Sequence, residues 1–314
     1  MELPKNKIKQ VLEVSRLYYI DNMSQVDISK KLNLSRPTIS RLLQAAKEQN
    51  IVEIKINDPF QNMDSLKQQL KQKYNLKDVI IALQTNDDKD TILDKLGEET
   101  AKYLEHIIRN NDVIGISWGK TMDAVANHLK ESDRSNINVV QLKGSVTNSR
   151  ENNFSIDITR KFNAAYHTQT QILPLPVIFD NARTKDLVVK DRFIKNVIEQ
   201  GYQANIALFT VGTTLSSAML FRLGYLDDIQ IDHLKRVSVG DVLSRFITAE
   251  GRIADSELNN RTVSIALDAL KDKEYSVLIA GGRTKLKPIH AALLGGYPNV
   301  LITDQNTAKK LLEL

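Results

Sequence analysis

The segment Gly115-Ile116-Ser117-Trp118-Gly119-Lys120-Thr121 gathers two hydroxyls, a glycine and a cation. Where a strand passes into a helix, such a run presents free backbone N–H groups and the positive end of a helix dipole, which suits an anion. It is not the phosphate loop of nucleotide triphosphatases. That loop needs four residues between its first glycine and Gly-Lys-Thr, and here there are three. A single phosphate therefore fits better than a triphosphate, and a tight turn without ligand is the plain alternative. A second segment, Gln141-Leu142-Lys143-Gly144-Ser145-Val146-Thr147-Asn148, sets a lysine where an apolar run ends. A buried lysine is either paired or has a lowered pKa. Beside a sugar phosphate, Lys143 could pair with phosphate, hydrogen-bond a hydroxyl, or attack an aldehyde as a free amine. Its plain alternative is a lysine snorkelling at the rim of a sheet. Gly281-Gly282-Arg283-Thr284-Lys285 adds glycines and two cations, and Val211-Gly212-Thr213 joins a glycine to a hydroxyl again. Asp241, Arg245 and Arg261 stand in two further polar segments. Asp241 could accept sugar hydroxyls, or it and either arginine could form a structural ion pair. Phe179-Asp180-Asn181-Ala182 follows the proline-rich Leu173-Pro174-Leu175-Pro176 and could cover the same mouth.

A different chemistry is written near the start of the chain. Ser24 can cap a short helix that begins at Gln25, with Asp27 completing a capping box. That helix carries Val26, Ile28 and Leu32 and breaks at Asn33. Ser35 is a second N-cap, and Pro37 falls in the first turn, where a missing N–H costs little. The second helix turns Ile39, Leu42 and Leu43 to one face. Its N-terminal, opposite face offers Ser35, Arg36, Thr38, Ser40 and Arg41. Two capped helices across a short turn, with guanidinium and hydroxyl groups at the start of the second, have the helix-turn-helix layout. Arginine can fork onto guanine, and hydroxyls can reach phosphates or base edges. The alternation Ile51-Val52-Glu53-Ile54-Lys55-Ile56 predicts a wing strand. A plain structural hairpin of two helices is the alternative.

These residues need a scaffold. Residues 5–21 predict a helix with Ile8, Val11, Leu12, Leu17 and Tyr18 on one face. Met63, Leu66, Leu70 and Tyr74 make a narrow apolar stripe. That stripe serves either contact between two copies of the chain or packing on the domain that follows. From Lys77 short apolar runs alternate with amphipathic stretches. Strands are predicted over Val79–Leu83, Val113–Ser117, Val139–Leu142, Asn205–Thr210, Val277–Ala280 and Val300–Thr303, with helices between them at 90–109, 121–130, 185–200 and 287–294. Such alternation means an α/β, doubly wound, mostly parallel sheet. Ligands of such sheets bind beyond the carboxyl ends of the strands, where the glycine- and hydroxyl-rich segments fall. The expected organisation is a winged helix-turn-helix over 1–58, a linker helix over 59–76 and an effector domain over 77–314.

Composition narrows the classes. The 314 residues, 42% of them hydrophobic, suit one small and one large domain. The net charge of +5 is too modest to prove nucleic-acid binding. There is no cysteine, which excludes a disulfide scaffold, a thiolate metal site and a cysteine nucleophile. Five histidines at 106, 128, 167, 233 and 290 lack ligand spacing, so no metal is expected. Neither a signal peptide nor a membrane-spanning run is apparent, so a cytoplasmic location is expected.

The segments LYYIDNMSQVDISKKLNLSRPTISRLLQAAKE (17–48), GISWGKTM (115–122), VVQLKGSVTNSR (139–150), LPLPVIFDNA (173–182), NIALFTVGT (205–213), LFRLGYL (220–226), VGDVLSRF (239–246), NNRT (259–262) and AGGRTK (280–285) together resemble the SorC family of transcriptional regulators, above all its deoxyribonucleoside branch. The resemblance spans nearly the whole chain. It implies an N-terminal winged helix-turn-helix and a C-terminal domain similar to sugar-phosphate isomerases. It also implies a phosphorylated sugar as effector, deoxyribose 5-phosphate in this branch. Ser117, Gly119 and Thr121 with Lys285 would hold phosphate, and Lys143 would face the sugar carbonyl. Trp118, Lys120, Gly144, Asn148, Asp180, Gly212, Thr213, Asp241, Arg245, Arg261 and Gly282 complete the expected effector contacts, while Arg283 competes with Lys285 for the phosphate. The DNA contacts expected are Ser24, Gln25, Ser35, Arg36, Pro37, Thr38, Ser40 and Arg41. The resulting expectation is a repressor, without cofactor or catalytic residue, that binds double-stranded operator DNA as a homodimer or homotetramer and lets go when a sugar phosphate binds. The rival is a sugar-phosphate isomerase or aldolase-like enzyme using Lys143 and Asp241.

Overall fold

The computed structural model describes residues 4–54, 63–83, 88–147 and 152–314. The chain divides into two compact units, Met1–Pro59 and Phe60–Leu314.

In the small unit, α1 (Lys5–Tyr19), α2 (Gln25–Leu32) and α3 (Arg36–Glu48) enclose a core of Val11, Val14, Leu17, Ile28, Ile39, Leu42, Leu43 and Ala46. Val14, not Leu12, completes the buried face of α1, and Leu12 is exposed. Ser24 caps α2 by accepting a hydrogen bond from the Asp27 N–H at 3.2 Å, and the Ser24 hydroxyl donates to the Asp27 carboxylate at 2.6 Å. Asn33 adopts the left-handed conformation that ends α2. Ser35 then caps α3 through the Thr38 N–H. The expected wing strand is not formed over 51–54, and Lys55 and Ile56 lie outside the described residues. Both Ile51 and Val52 give their N–H groups to the Ala46 carbonyl, so the chain folds back on the end of α3 instead of extending.

The large unit starts with α4 (Met63–Tyr74), whose Leu66 and Leu70 are buried in its core. The apolar stripe of this helix is thus accounted for by packing within its own unit. Six strands form one parallel sheet: β1 (Asp78–Ala82), β2 (Val113–Ile116), β3 (Asn138–Gln141), β4 (Ile206–Phe209), β8 (Tyr275–Ile279) and β9 (Val300–Asp304), in the order β1-β9-β8-β4-β2-β3. These are the six apolar runs of the sequence. Strands covered on both faces read as nearly continuous hydrophobic stretches. Alternate residues divide between two cores: Ile206, Leu208, Val277 and Ile279 on one face, Ala207, Phe209 and Leu278 on the other. The helices α5 (Lys89–Ile107), α6 (Lys120–His128) and α7 (Ser155–Tyr166) pack against the first face.

The stretch expected as one helix over 185–200 is two, α8 (Ala182–Val188) and α9 (Arg192–Gln203). Asp191 interrupts them because its carboxylate caps α9, accepting the Phe193 and Ile194 N–H groups. A second, antiparallel sheet of β5 (Val211–Thr213), β6 (Gly240–Val242) and β7 (Arg245–Ile247) was not legible as strands. Short helices α10 (Met219–Arg222), α11 (Asp228–Val237) and α12 (Ser256–Arg261) decorate this region. α13 (Leu286–Leu294) and α14 (Gln305–Glu313) join α4 on the second face.

Candidate functional site

From β2 the chain moves outward to β3, then returns to lay β4 on the other side of β2. A crevice opens at such a reversal, beyond the carboxyl ends of the two strands. Here it is a cavity of about 270 Å³. The segment after β2 supplies Trp118, Gly119, Lys120 and Thr121, and the segment after β4 supplies Thr210, Val211, Gly212 and Thr213. Gly119 has φ +118° and ψ 175°, a conformation essentially reserved for glycine. It turns the chain directly into α6, and no side chain caps that helix. The first turn of α6 therefore opens on the cavity with its N–H groups and dipole available to an anion.

Two lysines enter the cavity. Lys143 is buried, gives a hydrogen bond to Ser244 Oγ at 3.1 Å, and lies 3.5 Å from the centre of the Trp118 ring. The indole is itself fixed, because its N–H donates to the Gly144 carbonyl at 2.8 Å. Lys285 donates to Thr210 Oγ1 at 3.0 Å and to Thr121 Oγ1 at 3.2 Å. Burial pushes both ammonium groups down to about 8, against the opposing pull of the Asp241 charge. Asp241 is also buried. Desolvation raises its carboxyl, while Lys143, the Ser244 N–H at 2.9 Å and Lys285 work the other way. Its carboxylate occupies the place where a side chain of Gly212 would stand: a Cβ there would lie 1.9 Å from Asp241 Oδ1. The pairing of β5 with β6 sets these two residues opposite each other. With Lys89, Lys120 and Arg222 added, the cavity wall carries five cationic side chains and one carboxylate. Leu93, Leu215 and Met219 give it an apolar side.

Several expected contacts stand elsewhere. Ser117 is buried, and its hydroxyl has no hydrogen-bond partner among the described residues. It supports the sheet instead, through its N–H to Leu208 O. Gly144 acts on the cavity only by holding Trp118. Arg245 is spent on the carbonyls of Asn259, Ser264 and Ile265 and on the Asn259 side chain. Arg261 donates to the carbonyls of Phe179 and Asp180. These two arginines and Asp180 therefore tie loops together rather than line the cavity, and neither arginine forms an ion pair with Asp241. Gly282 donates its N–H to Asp304 and Thr307 and borders a separate cavity, as does Arg283. Of the two neighbouring cations, it is Lys285 that enters the site. Asn148 lies outside the described residues. Sequence reasoning missed Thr210, Ser244, Lys89 and Arg222, because a lone polar residue beyond a strand, in a hairpin turn or at the end of a helix carries no spacing that marks it.

In the small unit, Ser24, Ser35, Arg36, Pro37, Ser40 and Arg41 are exposed, and Gln25 and Thr38 are half-buried. The first turn of α3 contains no acidic residue. Among the described residues no group of His, Asp and Glu could hold a metal ion, and no helix is long and apolar enough to cross a membrane.

Residues 58–313 match the family described as "Putative sugar-binding domain". The chain is 44% identical over 310 residues to a deoxyribonucleoside regulator of Bacillus subtilis (strain 168), with 99% of each chain covered. It is 28% identical over 309 residues to the sorbitol operon regulator of Klebsiella pneumoniae, with 98% of each covered. The crystal structure of that full-length regulator, SorC, superposes with a TM-score of 0.74 at 27% identity, covering 99% of this chain and 100% of the other. A match over both units, together with a sugar-binding model over the unit that holds the cavity, fixes the assignment: the chain belongs to the SorC/DeoR-like, sugar-binding family of transcriptional regulators.

Proposed function

We propose that the chain is a repressor that binds operator DNA through α3 and releases it when deoxyribose 5-phosphate enters the cavity. The observation that carries this reading is the meeting of Lys285, Thr121, Thr210 and the uncapped start of α6 at one end of the cavity, with Lys143 and Asp241 also in its wall. The first group suits a phosphate dianion. The second suits the hydroxyl and carbonyl end of an open-chain sugar. Likeness to a deoxyribonucleoside regulator favours deoxyribose 5-phosphate as that sugar. In the small unit, α2, the turn at Asn33 and α3 read as a helix-turn-helix. Arg36 and Arg41 face base edges or phosphates, and the hydroxyls of Ser35, Thr38 and Ser40 accompany them. One small reading head rarely holds DNA alone, so two half-sites and a dimer or tetramer are part of the proposal. The protein acts in the cytoplasm.

Lys143 gives the effector its selectivity. With its ammonium pushed down to about 8, a usable fraction is free amine near neutral pH. The nitrogen adds to the aldehyde carbon, the carbon–oxygen double bond opens to a carbinolamine, and loss of water leaves an imine. The Asp241 carboxylate takes the two nitrogen protons in turn and passes them to the oxygen, which leaves as water, and burial, which raises its carboxyl, helps it hold each proton on the way. Borohydride added with deoxyribose 5-phosphate should leave a reduced sugar-phosphate adduct on Lys143, located by peptide mass. Lys143→Met should bind the selected operator duplex normally and respond weakly to effector. Loss of response without any adduct would reduce Lys143 to an ionic or hydrogen-bonding contact. A Lys143→Met variant that responds like the wild type would remove the residue from the site. Turnover of sugar phosphates by the purified chain would favour the isomerase or aldolase reading instead.

A further inference from the structure

The cavity is joined to the start of the large unit by a short run of direct contacts. It begins at the hairpin turn between β6 and β7, where Leu243 and Ser244 have φ of 49° and 65°. Both are buried, and the left-handed region is a strained place for leucine. Ser244 is held there by its two partners in the site: its N–H binds Asp241 and its hydroxyl accepts from Lys143. A ligand that draws Lys143 or Asp241 to itself withdraws one of the supports of that turn. On the other side of the same strand, β6 lies directly against α13. A Cβ on Gly240 would stand 2.6 Å from Pro288 Cβ. Lys285, the second cavity lysine, is the N-cap residue of α13. The helix is therefore touched by the site at two points, its start and Pro288.

Farther along α13, His290 meets α4. Its Nδ1 is 2.8 Å from the Tyr74 hydroxyl, and that hydroxyl also donates to the Leu311 carbonyl at 2.9 Å. A phenol has one proton. Both bonds are made together only when His290 carries its proton on Nδ1 and donates to Tyr74. The rings stand edge to face with centroids 5.7 Å apart. Tyr74 is the last residue of α4, and α4 is the first helix of the large unit after the segment that joins the two units.

We propose that Tyr74 and His290 are positioning residues that pass the occupation of the cavity from α13 to α4, and so to the chain that leads to the DNA-reading unit. The inference rests on the functional reading given above and adds the route by which an effector acts. Neither residue lines the cavity, so their loss leaves effector binding in place and removes its consequence. Tyr74→Phe takes away only the hydroxyl. His290→Leu takes away the donor, and His290→Asn restores an N–H near the position of Nδ1.

Hydrogen exchange of the full-length chain, with and without millimolar deoxyribose 5-phosphate, tests this. In the wild type the cavity peptides should respond to effector, 117–126 exchanging more slowly and 240–247 faster, and those covering 63–74 should change rate by about threefold or more. Tyr74→Phe and His290→Leu should keep the cavity response and lose the change at 63–74, and His290→Asn should recover part of it. In parallel, the effector should weaken wild-type binding to a duplex selected by the protein from random sequence on the order of tenfold, and in Tyr74→Phe that ratio should fall toward one. A wild type whose cavity peptides respond while 63–74 do not would overturn the inference. So would equal responses in wild type, Tyr74→Phe and His290→Leu. Should Tyr74→Phe fold poorly, the contrast of His290→Leu with His290→Asn decides. A wild type whose cavity peptides ignore the sugar phosphate would instead refute the functional reading, and this route with it.

Discussion

Replacing Lys143 with methionine should make the empty protein more stable at neutral pH. The lysine is 6% exposed, and burial lowers its ammonium from 10.5 to about 8. A folded pKa below the unfolded one sets the sign. Below pH 8 both states hold the proton, and the folded state bears the full cost of enclosing a charge. Between pH 8 and 10.5 the unfolded chain holds a proton that the folded chain has released, so stability rises with pH. Above 10.5 the penalty is gone. The gap from 10.5 to about 8 corresponds to roughly 3 kcal/mol, of which about 2 is relieved between pH 7 and pH 9.5. Methionine keeps the length of the side chain without its charge, and Asp241 retains Lys285 and the Ser244 N–H as partners. The chain has a single tryptophan, Trp118, which stands in the cavity wall, so its fluorescence reports the large unit alone. Urea unfolding followed at that wavelength should show Lys143→Met ahead of the wild type at pH 7. The lead should shrink by about 2 kcal/mol at pH 9.5. A variant less stable than the wild type at pH 7, or a difference that ignores pH, would refute the reasoning.

Other expectations follow from single contacts. Gly212→Ala should cost about 1–3 kcal/mol and weaken effector binding, because its Cβ displaces the Asp241 carboxylate; both are read from Trp118 fluorescence. Effector binding at pH 9 should take up protons, since a phosphate beside Lys285 restores its ammonium, whereas at pH 6.5 Lys285 is already charged and takes none; calorimetry in buffers of different ionisation heat measures this. Arg36→Ala should lower operator affinity by about 1–3 kcal/mol, and unchanged affinity and salt dependence in both Arg36→Ala and Arg41→Ala would show that another face meets DNA. Leu70→Asp should unfold or strongly destabilise the large unit, seen as a lost Trp118 transition, because Leu70 is fully buried there.

The six strands of the large sheet were legible because a strand buried on both faces is apolar over most of its length, and such runs stand out between amphipathic helices. The small sheet was not. Each of its strands is three residues long, and β6 reads Gly-Asp-Val, which has the composition of a loop. Its pairing comes from the approach of Gly212 to Asp241, a contact between residues 29 positions apart that no local pattern records. The same contrast divides the site. Lys143 and Lys285 could be placed at the cavity from sequence because each stands in a segment that follows a strand of a parallel sheet. Arg245 and Arg261 carried equal promise by residue type. Yet the loops around them present several carbonyls at once, and guanidinium groups answer those more completely than an ammonium can. The stripe on α4 read equally as contact between copies or as core, and it is accounted for as core by the burial of Leu66 and Leu70 and by the bonds of Tyr74 to His290 and Leu311.

The cavity gathers several costly features in one place: two desolvated ammonium groups, a buried carboxylate, a glycine-only backbone turn at Gly119 and, beside it, a leucine in the left-handed region at Leu243. Under the proposed function, a sugar phosphate would neutralise the lysines and give Asp241 a hydroxyl to bind. A ligand shifts a conformational equilibrium only by the difference in its affinity for the two states. Placing the unfavourable charges inside the cavity makes that difference large for an anion and small for a neutral sugar. The same arrangement sets the turn at Ser244, β6 and α13 against the charges that change on binding. Under the proposed function, the cost of enclosing these charges and the response to a sugar phosphate have one physical source, so a substitution that removes the first should remove the second as well.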